Sequence, residues 1–152
     1  MISGATRLLA VIGSPVSHSK SPLIHNAFAA NGNSEYAYLA FDVTRGTLPD
    51  FLAAARALPI AGFNVTMPLK EAIVPYLDEL DDFTRIIGAA NTVVNRGGRL
   101  AGYNTDGDGV TAALNAHGVR LADAYVLVLG AGGAAKAACL ALANAGARVT
   151  AL

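Results

Sequence analysis

Asn64-Val65-Thr66-Met67-Pro68-Leu69-Lys70 is the stretch that decides the fold of this chain. It closes a short apolar strand, Ile60 to Thr66, and leads into a segment that is predicted to be helical. In open α/β sheets, ligands bind beyond the carboxyl ends of the strands. The position of Lys70 therefore predicts a residue beside a ligand crevice, and the alternative is a solvated lysine at the start of a helix.

Strands and helices alternate on both sides of this stretch. The order β-α-β-α-β up to Thr66 predicts parallel strands joined by crossover helices. Downstream, the pattern predicts a helical region in two pieces that meet near Asp81-Asp82. A hairpin whose turn contains Gly97 and Gly98 is predicted to follow. The predicted strands are 8–12, 36–43, 60–66, 92–95 and 100–103, and the predicted helices start at Ser21-Pro22 and cover 48–58, 70–87 and 106–117.

After Gly118 a second α/β pattern begins. A buried strand over 125–129 is followed by Gly130-Ala131-Gly132-Gly133-Ala134-Ala135 and an Ala-rich helix over 134–145. This glycine turn fits the dinucleotide-binding pattern G-x-G-x-x-G/A in its required context, between a strand and a helix. It predicts a pyrophosphate site at the helix N-terminus, and the alternative is a glycine turn that binds nothing.

Composition narrows the classes of function. The chain has 152 residues, 53% of them hydrophobic and 14% charged, with a formal net charge of zero. Such a chain is globular, and it has no broad field that would attract nucleic acid or an anionic membrane. Cys139 is the single cysteine, so a disulfide framework is excluded and a cytoplasmic location is expected. Small molecules or other protein surfaces are the expected partners.

Two groups of residues could carry chemistry. Ser19 and Ser21 lie at the start of the first helix, where two hydroxyl donors and the helix dipole would suit a carboxylate. Simple N-capping by Ser21 is the alternative. Lys70 and Asp106 are the candidate acid/base pair, and Asp106 could instead be the N-cap of the helix that it precedes.

Five ordered motifs give the chain a close resemblance to the N-terminal portion of shikimate dehydrogenases. They cover essentially the whole chain: Gly13 to Pro22 with His25-Asn26, Asn64 to Lys70, Gly88-Ala89-Ala90-Asn91-Thr92, Asn104-Thr105-Asp106-Gly107 and Gly130 to Ala134.

The resemblance implies an oxidoreductase of aromatic amino-acid biosynthesis that interconverts 3-dehydroshikimate and shikimate with NADP rather than NAD. Lys70 and Asp106 would be catalytic, with Lys70 exchanging a proton with the carbinol oxygen. The substrate would be bound by Ser19, Ser21, Thr66, Lys70, Asn91 and Asp106. The cofactor would be bound by Gly130, Ala131, Gly132, Gly133 and Ala134, with Asp82 as a further acidic residue near it.

The resemblance also implies a division of the chain. Residues 1–105 would form a substrate-binding α/β domain with a parallel sheet, and residues 106–152 the beginning of a Rossmann-type NADP-binding domain. Because family members run on well beyond Leu152, we expect a piece of a larger protein, monomeric or homodimeric, that is too short to be active alone. Two alternatives stay open: a quinate/shikimate dehydrogenase, and a non-catalytic shikimate-binding module.

Overall fold

A six-stranded sheet and a separate two-stranded sheet form the fold in the computed structural model, which describes residues 2–152. The strand order of the larger sheet is β2-β1-β3-β5-β6-β4, and β7 pairs with β8 in the smaller one. The strands are β1 (Arg7–Gly13), β2 (Tyr36–Asp42), β3 (Ile60–Val65), β4 (Glu79–Leu80), β5 (Thr92–Arg96), β6 (Arg99–Tyr103), β7 (Tyr125–Val128) and β8 (Arg148–Ala151).

Five α-helices connect these strands. The first two follow β1 and β2 as crossover helices, and the last lies between the two strands of the smaller sheet. The helices are α1 (Ser21–Asn31), α2 (Leu48–Ala57), α3 (Asp82–Ile87), α4 (Asp106–Ala116) and α5 (Gly133–Asn144), with a single 3₁₀ turn over Val74–Tyr76.

The core follows from the alternation of side chains along β1. Ala10 and Ile12 are fully buried in a cluster that also contains Leu48 and Leu52 of α2. Val11 points to the opposite face and packs in a second cluster with Tyr38. The strand is therefore buried on both faces, as its unbroken apolar run predicts.

The parallel pattern of the first three strands does not extend to the hairpin that follows them. β1 pairs with β2 and β3 in parallel, whereas β5 is antiparallel to both β3 and β6. The predicted hairpin is confirmed: Gly97 and Gly98 have φ angles of +62° and +91°, which glycine adopts without steric cost. Because this tight turn reverses the chain, the larger sheet is mixed: its first three strands are parallel, as predicted, and the predicted hairpin adds antiparallel strands.

Of the two helical pieces predicted over 70–87, the second is confirmed, since α3 begins at Asp82, and the first is wrong. Only α3 and the 3₁₀ turn are helical there, and β4 pairs with β6 at the edge of the sheet. Pro75 has no N–H to donate and so interrupts a continuing α-helix. Asp81 then starts α3 as a true N-cap, with its carboxylate accepting the Thr84 N–H at 2.8 Å, and Gly88 ends it in the left-handed region.

Asp78 ties this irregular segment to the sheet. Its carboxylate accepts from the Arg56 guanidinium at 2.6 Å and from the Leu100 N–H at 2.7 Å. The Arg56 hydrogen bond, followed by that of Leu100, holds the pKa of Asp78 below its usual range. A carboxyl whose pKa is lowered by folding stabilises the fold above its unfolded pKa, and that contribution is lost as the pH falls.

We expect Asp78→Asn to lower the free energy of unfolding at neutral pH by about 1 kcal/mol, since it removes a partly exposed charged hydrogen bond. The deficit should shrink as the pH falls below the usual range of an aspartate pKa, where the wild-type carboxyl loses its own charge. Urea unfolding followed from neutral to acid pH measures it. Asp42→Asn, which alters an exposed aspartate with no side-chain hydrogen bond in the described part of the chain, is the control. An equal deficit at all pH values would contradict the assignment.

The larger sheet uses residues 7–103 and the smaller one residues 125–151, with α4 between them. The division at residues 105 and 106 stays a prediction. In the part of the chain that the structure describes, no helix is long and apolar enough to cross a membrane.

Candidate active site

The loops that follow β1 and β3 are held against each other at the carboxyl end of the sheet. Thr66 donates its N–H to the Ile12 carbonyl at 2.9 Å, and Ser14 donates to the Met67 carbonyl at 3.1 Å. A Cβ at Gly13 would overlap the Thr66 methyl group, so only glycine permits this approach. The Gly13-to-Ser21 segment and the Asn64-to-Lys70 segment therefore meet at one edge of the sheet.

Lys70 lies in a turn whose backbone is fixed on both sides. Its neighbour Leu69 is fully buried, and its own carbonyl accepts the Ala90 N–H at 2.8 Å. The Lys70 ammonium lies 2.5 Å from the Asp106 carboxylate, and its side chain is 21% exposed. The alternative of a solvated lysine at a helix start is wrong, because no helix begins at Lys70 and its charge is paired.

Asp106 is held from three directions. One carboxylate oxygen accepts from Lys70, and the other accepts from the Asn91 side-chain amide at 2.8 Å. Its N–H is donated to the side-chain oxygen of the buried Asn104 at 2.9 Å. Asp106 is the first residue of α4, whereas the N-cap is Thr105, so the alternative role of Asp106 as the N-cap is wrong. The positive end of the helix dipole favours its negative charge at this position.

The alternative in which Ser21 is simply the N-cap of the first helix is also wrong. The N-cap of α1 is Lys20, which makes no side-chain capping bond, and Ser21 is the first helical residue. Ser19 Oγ accepts the Ser21 N–H at 3.2 Å, so this hydroxyl satisfies one of the free donors of the helix. Both serines are partly buried and turn toward the space in front of Lys70.

A cavity of about 260 Å³ joins these residues. It brings together all six residues predicted to bind substrate, and it adds two polar residues that were not predicted to do so, His25 and Asn64. Both stand within the quoted motifs, which was the available signal. The cavity is lined by Val11, Ser19, Ser21, His25, Asn64, Val65, Thr66, Lys70, Asn91 and Asp106.

A second cavity, of about 350 Å³, lies on the other side of Lys70. Thr66 and Lys70 line both cavities, so these two residues form the wall between them. The glycine turn faces the second cavity directly. Its lining residues are Arg45, Thr66, Met67, Pro68, Lys70, Glu71, Gly132, Gly133 and Ala134.

The glycine turn suits a bound anion. Gly132 is the N-cap of α5 and makes no side-chain capping bond, so the first N–H groups of the helix are free of such a partner. Gly130 has a φ angle of +124°, which gives the sharp turn after β7. Nothing lies within 4 Å of a Cβ built at Gly132, whereas a Cβ at Gly133 would come within 2.8 Å of the Ala89 Cβ. These N–H groups and this open approach fit a pyrophosphate.

An ion pair connects the two sides of the second cavity. Lys136 of α5 donates to the Glu71 carboxylate at 2.7 Å. Glu71 is the residue that follows Lys70 in the sequence. Asp82, by contrast, lines neither cavity. Its carboxylate accepts from Arg85 within α3 at 2.8 Å and is 94% exposed, so the structure does not bring it to the glycine turn.

The fold and the site together define an α/β ligand-binding protein with two adjoining cavities, one polar and one beside a glycine-rich turn. The chain belongs to the shikimate dehydrogenase family. Residues 11–93 match the family described as "Shikimate dehydrogenase substrate binding domain".

Individual relatives agree with the family match. The chain is 52% identical over 149 residues to the shikimate dehydrogenase (NADP(+)) of Symbiobacterium thermophilum, covering 97% of this chain and 50% of that protein. The shikimate dehydrogenase structure from Aquifex aeolicus superposes with a TM-score of 0.96 at 41% identity, covering 99% of this chain and 57% of that one.

A third relative was solved with ligands. Shikimate 5-dehydrogenase from Thermus thermophilus, in complex with NADP(H) and shikimate, has a TM-score of 0.90 at 42% identity and covers 96% of this chain and 55% of its own. The chain spans about half the length of the curated relatives that it matches.

Proposed function

We propose that this chain supplies the substrate site and proton-transfer groups of an NADP-dependent shikimate dehydrogenase, which interconverts 3-dehydroshikimate and shikimate. The observation that carries the proposal is the wall between the two cavities. Lys70 reaches a polar cavity of the size of a small hydroxy acid on one side and a glycine turn on the other. A hydride transfer between a small acid and a nucleotide is coupled to a proton transfer, so both ligands must lie beside the same proton donor.

The polar cavity provides complementary groups for such an acid. The Ser19 and Ser21 hydroxyls, at the N-terminus of α1, are the donors for its carboxylate. Asp106 accepts from a ring hydroxyl and also keeps the Lys70 ammonium in place. Asn91 and Thr66 also line this cavity, and the Thr66 hydroxyl is a further polar group for the substrate. No other lysine or arginine lines this cavity in the described part of the chain, so Lys70 is the ammonium group that can protonate a carbonyl oxygen.

The chemistry then divides between chain and nucleotide. The nicotinamide, when bound, supplies or takes the hydride. In the reducing direction the Lys70 ammonium donates its proton to the carbonyl oxygen of 3-dehydroshikimate, which becomes the hydroxyl of shikimate. In the oxidising direction the neutral amine accepts that proton. Asp106 holds the lysine in the same position throughout, and the first turn of α5 holds the pyrophosphate.

Calorimetric titration tests the substrate site. We expect the chain to bind shikimate, and the double variant Ser19→Ala/Ser21→Ala to bind it more than about 100-fold more weakly, since two hydrogen bonds to a charged group are lost. The methyl ester of shikimate has no charged carboxylate, so the double substitution should weaken its binding much less.

Ser17→Ala changes an exposed serine of the same loop that does not line the cavity, and it should leave the affinity unchanged. Equal affinities of the wild-type chain and the double variant would refute the serine assignment. No binding of shikimate to the wild-type chain would refute the proposed function. Titration with NADP+ tests the glycine turn separately.

A further inference from the structure

A row of hydrogen-bonded side chains runs from the Lys70–Asp106 pair into the core. Beyond Asp106, the Asn91 amide is bonded to Thr92, whose hydroxyl donates to Asn91 Oδ1 at 2.8 Å. Thr92 Oγ1 in turn accepts from the Asn64 amide at 3.2 Å, and Asn64 Oδ1 accepts from the Tyr38 hydroxyl at 2.7 Å. We call this series, Lys70, Asp106, Asn91, Thr92, Asn64 and Tyr38, the polar row.

The donor and acceptor at each step are dictated by the carboxylate end. Ionised Asp106 can only accept, so Asn91 must turn its NH₂ group toward it and its Oδ1 away. The Thr105 N–H, which lies 3.1 Å from that Oδ1, requires the same orientation. Thr92 must then donate to Asn91 and accept from Asn64.

The last step completes this constraint. Once the Asn64 NH₂ group is directed at Thr92, only its Oδ1 remains for Tyr38, and the phenol must donate. Every side chain in the polar row therefore has one allowed orientation, and Tyr38 supplies the final donor.

Tyr38 is the most buried member of the polar row. It is 3% exposed, and its ring stacks on His25 with the ring centroids 4.3 Å apart. Asn26 clamps its backbone, accepting the Tyr38 N–H at 2.8 Å and donating to its carbonyl at 2.9 Å. Burial raises the pKa of Tyr38 to about 12, with the neighbouring Ser21 hydroxyl offsetting part of the rise. The phenol therefore keeps its proton in neutral solution.

We propose that Tyr38 is a positioning residue for the proton-transfer site. It lines neither cavity. Its hydroxyl satisfies Asn64 Oδ1, the last acceptor of the polar row, and so holds Asn64 against Thr92, which donates to the Asn91 amide beside the carboxylate paired with Lys70. The inference deepens the proposed function and rests on it. Removal of the hydroxyl leaves Asn64 Oδ1 without its donor, so Asn64, Thr92 and Asn91 are held less tightly.

The test uses the full chain, three single variants and one double variant. Tyr38→Phe removes the last donor, and Thr92→Val breaks the row at its middle. Tyr36→Phe is the matched control, because it removes a phenolic hydroxyl from the same strand that makes no hydrogen bond within residues 2–152. Hydrogen exchange of the Asn91 side-chain amide, followed by NMR without ligand, should be at least about threefold faster in Tyr38→Phe and Thr92→Val. It should be unchanged in Tyr36→Phe.

Shikimate affinity distinguishes a break in the polar row from a general loss of packing. We expect each of Tyr38→Phe and Thr92→Val to weaken binding by about 5- to 10-fold, and the double variant to be no weaker than the worse single one, because both break the same row. If the two substitutions caused independent structural defects, their fold-losses of shikimate affinity would multiply instead.

Unchanged Asn91 exchange in Tyr38→Phe, or multiplied losses in the double variant, would overturn the positioning role while leaving the proposed function standing. A wild-type chain that does not bind shikimate would overturn the proposed function, and with it the purpose assigned to Tyr38.

Discussion

Lys70→Met is expected to reduce the rate of shikimate oxidation by about 10²- to 10⁴-fold, the usual contribution of a positioned general acid or base. Methionine keeps most of the aliphatic stem and removes the ammonium that contacts Asp106. Because the chain spans half of its relatives, the assay is best made with a chimera. In it, this chain is joined to the C-terminal half of the Symbiobacterium thermophilum protein, and the formation of NADPH is followed by absorbance.

Two further measurements make this result specific. The affinity of Lys70→Met for shikimate should fall by less than about tenfold, since one hydrogen bond to substrate is lost while the serines remain. Lys20→Met makes the same change at an exposed lysine that lines neither cavity, and its rate should equal that of the unmodified chimera. Full turnover by the Lys70 variant would remove Lys70 from the mechanism.

Gly107→Ala is expected to destabilise the chain by about 1–3 kcal/mol through overpacking. A Cβ at this position would lie 2.8 Å from both Ala141 Cβ and Phe83 Cζ, and 3.0 Å from the Ala137 carbonyl oxygen. These atoms belong to α5 and α3, so the absence of a side chain at Gly107 is what allows α4 to pack closely against both helices.

The same helix offers a control of opposite sign. Nothing lies within 4 Å of a Cβ built at Gly109, so Gly109→Ala should stabilise α4 by about 0.5–1 kcal/mol through its higher helix propensity. The midpoints of urea unfolding of the two variants should therefore move in opposite directions from that of the wild type. A Gly107→Ala midpoint equal to the wild-type value would show that the contact yields without cost.

The elements that the sequence predicted well are those in which local pattern and burial agree. The apolar run of β1 and the Gly97-Gly98 turn each carry their structure in consecutive residues. The segment after Lys70 misled the prediction because its apolar side chains, such as Ile73, are buried in the core from an irregular turn instead of from a helix.

The candidate site shows the same division. Its members could be found from motifs, but their pairing is long-range: Lys70 and Asp106 are 36 residues apart, and Tyr38 and Asn64 are 26 apart. A hydrogen bond across such a separation depends on the order of strands in the sheet, and no local pattern encodes it. The role of Tyr38 in particular is hidden, because an apolar-looking strand position gives no sign of a polar partner.

The wall formed by Thr66 and Lys70 has a thermodynamic consequence. Two binding sites that share side chains cannot be independent, because a ligand that orders the wall from one side changes the free energy of binding on the other. The same coupling acts in both directions, whichever ligand arrives first. Under the proposed function, an occupant of the polar cavity and an anion at the glycine turn would therefore be linked, and each would change the affinity of the other by the same factor.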